Sequence, residues 1–221
     1  MNGVIIMKFT RFLIFLTILF ILAGCSLNTD SLTTLLAFPD TEWNMSPEAF
    51  LSEFAIADSA IERDFSDYYA QYKTITVENL TVFDVPATAT FRFIDISKSG
   101  SYGLHYIVVL FPDGTDMASI HNKLTAAYGS PIEFDPSERD AEYCAHVSRW
   151  ESKQTFYDAL SNEQLRSLDA KLLEEYKESS LAYIMWSDEA YRILTGNPDN
   201  WTFDPHAIVF YCGLAEIATA K

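Results

Sequence analysis

An uncharged apolar run near the start of the chain decides which residues can belong to a folded domain. Residues 12–24 carry no charge and follow a short basic lead that contains Lys8 and Arg11. The run is shorter than the roughly 20 apolar residues of a membrane-spanning helix and ends in small residues, which is the pattern of a signal peptide. We therefore expect residues 1–24 to be removed, which leaves 197 of the 221 residues in the mature protein.

The end of this segment, Leu22-Ala23-Gly24-Cys25, resembles the lipobox of bacterial lipoproteins. In that family the cysteine thiol receives a diacylglycerol group, and a peptidase cuts the chain just before it. The resemblance implies that Cys25 is lipidated and that the protein is held at the cell membrane or the outer membrane, facing outside the cytoplasm. An ordinary secretory signal with a chance cysteine is the alternative.

The acidic composition restricts the partners of the mature chain. It holds 13 Lys and Arg against 31 Asp and Glu, a formal net charge of −18. Nucleic acid and anionic lipid both repel such a chain. We expect no nucleic-acid partner and a membrane contact through the lipid on Cys25 alone. The charge favours solubility, and a partner that seeks acidic surfaces stays the alternative.

Changes in the period of apolar residues predict an α+β fold, with antiparallel sheets that have helices packed on one face. Ser46 and Pro47 match an N-cap and the first helical position. The helix that they open is expected to carry one apolar face, made of Phe50, Phe54, Ala57, Ile61 and Phe65. From about Tyr72 to Phe111 the chain is rich in Thr, Val, Ile, Phe and Tyr, which predicts three or four antiparallel strands.

A second helix and a second group of strands are predicted after residue 112. Thr115 or Asp116 can cap this helix, and Gly129 ends it. Ser161 and Gln164 form a capping box that opens a later helix. The apolar side of that helix is expected to contain Leu165, Leu168, Leu172 and Tyr176. Further strands are predicted at 143–150, 181–186 and 206–212.

These elements suggest a tether at residues 25–40 and a single globular domain at 41–221. The domain can consist of two related helix-plus-sheet halves that meet near residues 112–115. The helix that carries Ile120 and Leu124 must bury its apolar stripe against the preceding strands. The side chains expected beneath it are Phe91, Phe93, Tyr106 and Val108.

Two short segments resemble small envelope lipoproteins of the SmpA/OmlA type. Trp43-Asn44-Met45-Ser46-Pro47-Glu48 is similar to their helix opening, and Tyr128-Gly129-Ser130-Pro131 is similar to a helix end in such domains. Residues 153–179 form an insertion that those compact domains lack. The resemblance implies a noncatalytic protein-binding module and identifies no binding residue.

The sequence lacks the motifs that signal catalysis most directly. It contains no G-x-S-x-G, H-E-x-x-H or phosphate-binding loop. The histidines are not at metal-ligand spacing, which favours structural roles for His105, His121, His146 and His206. We expect no catalytic, metal or cofactor site. The alternative is an envelope hydrolase whose site is assembled from distant residues such as His146 and an acid.

Three further groups of residues are assigned structural roles. An acidic stretch lacks the glycine of a calcium-binding EF-hand loop, which favours a solvated loop for Asp135, Glu138, Asp140 and Glu142. A turn is the predicted structure for a second polar group, because Asn and Asp are ordinary turn residues: Asn197, Asp199, Asn200 and Asp204. Tyr68 and Tyr72 are expected to extend the Phe54 face into the core. The alternative is an aromatic binding surface, to which Tyr69, Trp43 and Trp201 can contribute.

Two cysteines remain once Cys25 carries its lipid. Cys144 and Cys212 each lie in an apolar segment that predicts a strand. Export permits a disulfide between them, and two buried thiols are an equally good alternative. The choice depends on the register of the two strands, which the sequence leaves open.

Together these patterns favour a membrane-anchored envelope lipoprotein that acts as a noncatalytic binding or assembly module. Its partner would be a protein or another envelope component. A hydrolase and a small solute-binding lipoprotein remain as alternatives. Solute receptors usually need two α/β lobes around a cleft, and 197 strand-rich residues fit that architecture poorly.

Overall fold

One antiparallel sheet of eight strands forms the centre of the protein. The computed structural model describes residues 35–54, 61–134, 146–187, 191–192 and 202–219, all within one compact unit, Ser31–Lys221. The strands of the sheet are β1 (Ile61–Ser66), β2 (Gln71–Val82), β3 (Val85–Asp95), β4 (Gly103–Leu110), β5 (Ile132–Phe134), β6 (Val147–Glu151), β7 (Ala182–Ser187) and β10 (Ala207–Cys212). A separate pair consists of β8 (Tyr191–Arg192) and β9 (Thr202–Phe203).

The sheet contains two successive meanders that merge at its middle. Helix α1 (Pro47–Glu53) precedes β1 to β4, and helix α2 (Met117–Tyr128) precedes β5, β6, β7 and β10. The spatial order is β1-β2-β3-β4-β10-β7-β6-β5, so the last strand of each meander pairs with the other. Val108 lies opposite Val209 at this junction. The expected α+β fold is therefore confirmed, with both sets of strands in a single sheet.

The first two helices use the caps that the sequence predicts. The Ser46 hydroxyl accepts a hydrogen bond from the Ala49 N–H at 3.2 Å. The Asp116 carboxylate accepts one from the Ser119 N–H at 3.1 Å. Gly129 ends α2 with φ 93°, a backbone conformation that glycine adopts readily.

The first helix is shorter than predicted. It ends at Glu53, with Phe54 as its C-cap, and Phe65 lies in β1. The expected apolar face therefore stops at Phe54, and Ala57 lies outside the described residues. Pairing with β2 determines the conformation of the later segment: Phe65 is opposite Tyr72, and their rings stack with centroids 4.7 Å apart. Tertiary pairing overrides a short helical period here.

The remaining helices are α3 (Phe156–Ala159), α4 (Asn162–Ser167), α5 (Ala170–Glu178) and α6 (Leu214–Thr219). The capping box of Ser161 and Gln164 is confirmed. The single helix expected after it is wrong, because Leu168 adopts extended backbone and Asp169 caps a new helix. None of the described helices is long and apolar enough to cross a membrane.

The core lies on one face of the sheet, under α1 and α2. The Phe50 ring of α1 lies 4.3 Å from the Phe91 ring of β3, measured between centroids. Ile120 and Leu124 of α2 are fully buried in the same cluster. The strand residues that join them include Ala89, Phe91, Phe93, Leu104, Ile107, Ile184 and Phe210.

A β-bulge in β4 changes which of its residues face the core, so part of the predicted core is wrong. Arg92 pairs with Tyr106, but Phe93 pairs with Leu104, so His105 is the extra residue. The pairing of Phe91 with Ile107 brings Ile107 to the core face. Phe91 and Phe93 join the same buried cluster as Ile120 and Leu124, and their rings contact Phe50 of α1. Tyr106 and Val108 do not join it, because side chains alternate along a strand and these two point to the opposite face.

The Leu124→Ala variant is expected to destabilise the protein by about 2–5 kcal/mol, because it leaves a cavity in a fully buried site. Urea unfolding of both proteins measures this difference. Leu172→Ala is the matched control, since Leu172 is 37% exposed and its truncation should cost at most about 0.5 kcal/mol. Equal unfolding midpoints for Leu124→Ala and the parent would remove Leu124 from the core.

Candidate functional site on the open face of the sheet

Six side chains form one row across the face of the sheet that is opposite the core, which we call the open face. The row crosses β2, β3, β4, β10, β7 and β6, and each member lies directly opposite the next. Its members are Thr74, Arg92, Tyr106, Tyr211, Tyr183 and Glu151. All six are half-buried, and neighbouring strands lie about 4.8 Å apart, so this cross-sheet row is roughly 24 Å long.

Arginine side chains stack on aromatic rings in both halves of the row. The Arg92 guanidinium lies 5.5 Å from the centroid of the Phe65 ring and 5.1 Å from that of Tyr106. In the second half, Arg149 lies 4.8 Å from the centroid of Tyr183. These distances fall within the range of cation–π attraction, which holds the long arginine side chains in place. The side chains of the row are therefore held in a fixed arrangement.

The β-bulge adds a buried histidine beside this row. His105 is only 7% exposed, and its Nδ1 lies 3.3 Å from Oε1 of Glu216 in α6. The Tyr211 hydroxyl donates to the same Glu216 oxygen at 3.0 Å. Because the carboxylate can only accept, we assign the imidazole proton to Nδ1. Nε2 then carries a lone pair, and it has no hydrogen-bond partner among the described residues.

Burial controls the ionisation of these groups. Desolvation lowers the pKa of His105, although Glu216 opposes the shift. Burial also raises the pKa of Tyr106 to about 12 and raises that of Tyr211 further. At neutral pH the imidazole and the two phenols of this cluster are neutral. A neutral imidazole held by a carboxylate can act as a base, but the His105 Nε2 atom is itself buried. The role of His105 in the structure is to attach α6 to β4.

Helix α6 has two further attachments to the sheet. The Ser97 N–H donates to the Thr219 carbonyl at 2.9 Å, and the Ile96 N–H donates to the Thr219 hydroxyl at 3.2 Å. Ala215 approaches Gly103 so closely that a Cβ at that position would clash with it and with Asn44. Gly103 is therefore needed for this close packing.

A second polar cluster forms where β5 and β6 meet α2. The Ser148 hydroxyl lies 3.1 Å from His121 Nε2 and donates to Glu133 Oε2 at 2.7 Å. His146 Nε2 lies 3.5 Å from the same Glu133 oxygen. Sequence spacing did not reveal this cluster, because the pairing of Glu133 with Ser148 across two strands creates it.

The hydrogen bonds of this cluster run in the opposite direction to those of a serine nucleophile. An activated serine donates its proton to a histidine. Here Ser148 donates to Glu133, so His121 must donate to Ser148. Ser148 is also buried, which keeps its oxygen from a substrate. Among the described residues, no group of three His, Cys, Asp or Glu side chains is placed to hold a metal ion.

The other sequence-predicted polar residues have varied outcomes. Asp204 accepts a hydrogen bond from the His206 N–H at 2.8 Å, which is the expected turn chemistry. The remaining members of both polar groups lie outside the described residues: Asp135, Glu138, Asp140, Glu142, Asn197, Asp199 and Asn200.

The aromatic prediction needs correction. Tyr68 is 88% exposed in the turn between β1 and β2, so it does not extend the core as predicted, and Tyr69 beside it is 77% exposed. The chain there turns between paired strands, and the helical spacing on which the prediction rested does not apply. Tyr72 is half-buried beside Phe65, and Trp43 is buried in the core. Trp201 lies outside the described residues.

Cys212 is fully buried and forms no disulfide with another described residue, and burial raises the pKa of its thiol to about 12. Cys144 and Cys25 lie outside the described residues. The disulfide between Cys144 and Cys212 therefore stays a prediction, as does the lipid on Cys25.

Comparison of the chain with protein-family models, with curated proteins and with solved structures finds no match. The fold defines the class of protein: an α+β domain with one antiparallel sheet of eight strands, helices α1 and α2 on its core face and an arginine–aromatic row on its open face.

Acidification is expected to weaken the fold through His105. Its folded pKa lies below the value of about 6.5 that it has when unfolded, so the unfolded chain binds the proton more readily. This contribution to stability is present above pH 6.5 and is lost as the pH falls. Urea unfolding at pH 7.5 and pH 5.5 should show a smaller acid loss in His105→Gln than in the parent. An acid loss in His105→Gln equal to that of the parent would contradict the assignment.

Proposed function

We propose that this protein is a membrane-anchored envelope lipoprotein that acts as a noncatalytic binding or assembly module. The cross-sheet row is the observation that carries the proposal. Tyrosine and arginine are enriched in the energetic centres of protein interfaces. A tyrosine ring buries a large area at low entropic cost, and an arginine offers several hydrogen-bond donors in a fixed geometry. A row of roughly 24 Å matches the scale of a protein contact better than that of a small solute.

The location of the anchor supports the same proposal. Only nine residues separate Cys25 from Leu35, the first described residue, and they span at most about 35 Å when extended. A lipid on Cys25 would keep the domain close to the membrane surface, where its partners would be other envelope components. The acidic charge of the chain would at the same time keep its own surface off anionic headgroups.

A hydrolase is less well supported. The cluster of His121, Glu133, His146 and Ser148 does bring histidine, carboxylate and hydroxyl groups together. Its hydrogen bonds nevertheless direct the Ser148 proton to the carboxylate, and the hydroxyl is buried. The cluster instead links the short strand β5 to β6 and α2.

Lipidation is tested at Cys25. The Cys25→Ala variant should leave the membrane fraction, and its N-terminal peptide should lack the mass of a diacylglycerol group, since only a thiol can receive it. Ser26→Ala serves as the control and should remain in the membrane. A wild-type N-terminus without acyl mass would show that the proposed anchor is wrong.

Binding is tested by placing a photoreactive amino acid at Phe65, which is 44% exposed beside Arg92. Illumination of intact cells should give a crosslinked product of discrete mass. The matched position is Leu172 on α5, which is 37% exposed and lies away from the row. We expect no discrete product there. Equal products from both positions, or none from Phe65, would count against the open face as the binding surface.

A further inference from the structure

A groove of about 640 Å³ lies at the far end of the β2–β3 hairpin, away from the cross-sheet row. Its walls come from the hairpin turn, from α2 and from the segment that precedes α1. The lining is mostly apolar and includes Phe38, Phe54, Leu80, Phe83, Ala126 and Ala127. A groove of this volume suits a single small ligand with an apolar body.

Three of the seven non-glycine residues that have a positive φ in the described part of the chain line this groove. The hairpin turn consists of Phe83 and Asp84, with φ values of 51° and 66°, between the paired residues Val82 and Val85. Two positive φ values define a type I′ turn, which strongly favours Asn-Gly. A phenylalanine is unfavourable in this conformation. Asp40, on the opposite wall, also has a positive φ of 59°.

Hydrogen bonds from α2 stabilise this unfavourable turn and fix the position of the groove wall. The Lys123 ammonium of α2 donates to the Phe83 carbonyl and to the Asp84 carboxylate. This link holds the turn against α2 and leaves the Phe83 ring among the lining residues. A strained residue that is held by its surroundings is typical of ligand sites.

The charge at the rim indicates the ligand. Asp40 and Asp84 are the acidic residues of the lining, and Lys123 pairs with Asp84 at 2.9 Å. The rim therefore carries one excess negative charge, in a chain whose formal net charge is −16. Both fields attract a cation and repel an anion.

From these observations we propose that the groove binds one amphiphile that has an alkyl chain and a cationic head group. The chain lies along the apolar lining, against Phe83 and Ala126. The head group lies at the rim beside Asp40. This site is independent of the cross-sheet row and of the proposed function.

The test uses the full chain in micelles of a neutral maltoside detergent. The probe is a dodecyl trimethylammonium compound with a diazirine in its alkyl chain, and mass spectrometry locates its adducts. We expect saturable labelling of the peptides that line the groove. A probe with a sulfate head group should label them weakly.

Variants then locate the site. Ala126→Leu fills the groove and should reduce labelling more than tenfold. Ala118→Leu, an equally exposed position on α2 outside the groove, should leave it unchanged. Asp40→Asn is compatible with the fold, because asparagine tolerates the positive φ at this position. It should raise the half-saturating concentration of the cationic probe about two- to fivefold. The half-saturating concentration of a hydroxyl-headed probe should not change.

Phe83→Asn supplies a second, fold-preserving variant, since asparagine suits the turn. It should keep the unfolding midpoint of the parent or raise it, and should reduce labelling. Three results would overturn the proposal: labelling that spreads along the chain without saturating, labelling that Ala126→Leu does not reduce, or equal labelling by the sulfate-headed probe.

Discussion

The pairing of β4 with β10 is the contact on which the rest of the structure depends. Each meander ends in a strand that is apolar on both faces, and such a strand is stable only when it is paired on both sides. Val108 opposite Val209 joins the two strands. This junction merges two four-stranded sheets into one and aligns Tyr106 with Tyr211. The cross-sheet row exists only because of that alignment.

The bulge at His105 determines which residues of β4 face the core at this junction. One extra residue lets Leu104 and Ile107 both face the core, although they are three positions apart. The same residue places an imidazole within reach of Glu216, which attaches α6, the helix that follows β10 in the chain. This β-bulge therefore supports both the packing of the core and the attachment of the C-terminal helix.

The sequence predicts much of the local structure and little of the site. Caps at Ser46, Asp116 and Ser161 were recognisable because their hydrogen bonds span three residues. The face of Tyr106 was not, because it depends on a bulge that no local pattern marks. The groove and the Glu133 cluster depend on contacts between distant segments, which only the register of the sheet determines.

The outer edges of the sheet explain why a partner would meet its face. An unprotected edge strand can add a strand from another chain. Here β5 has three residues, and β1 contains Glu62, Arg63 and Asp64 in succession. A short edge and a charged edge both oppose strand addition. A partner of the kind proposed above would therefore contact side chains such as Arg92 and Tyr183 and would not add a strand to the sheet.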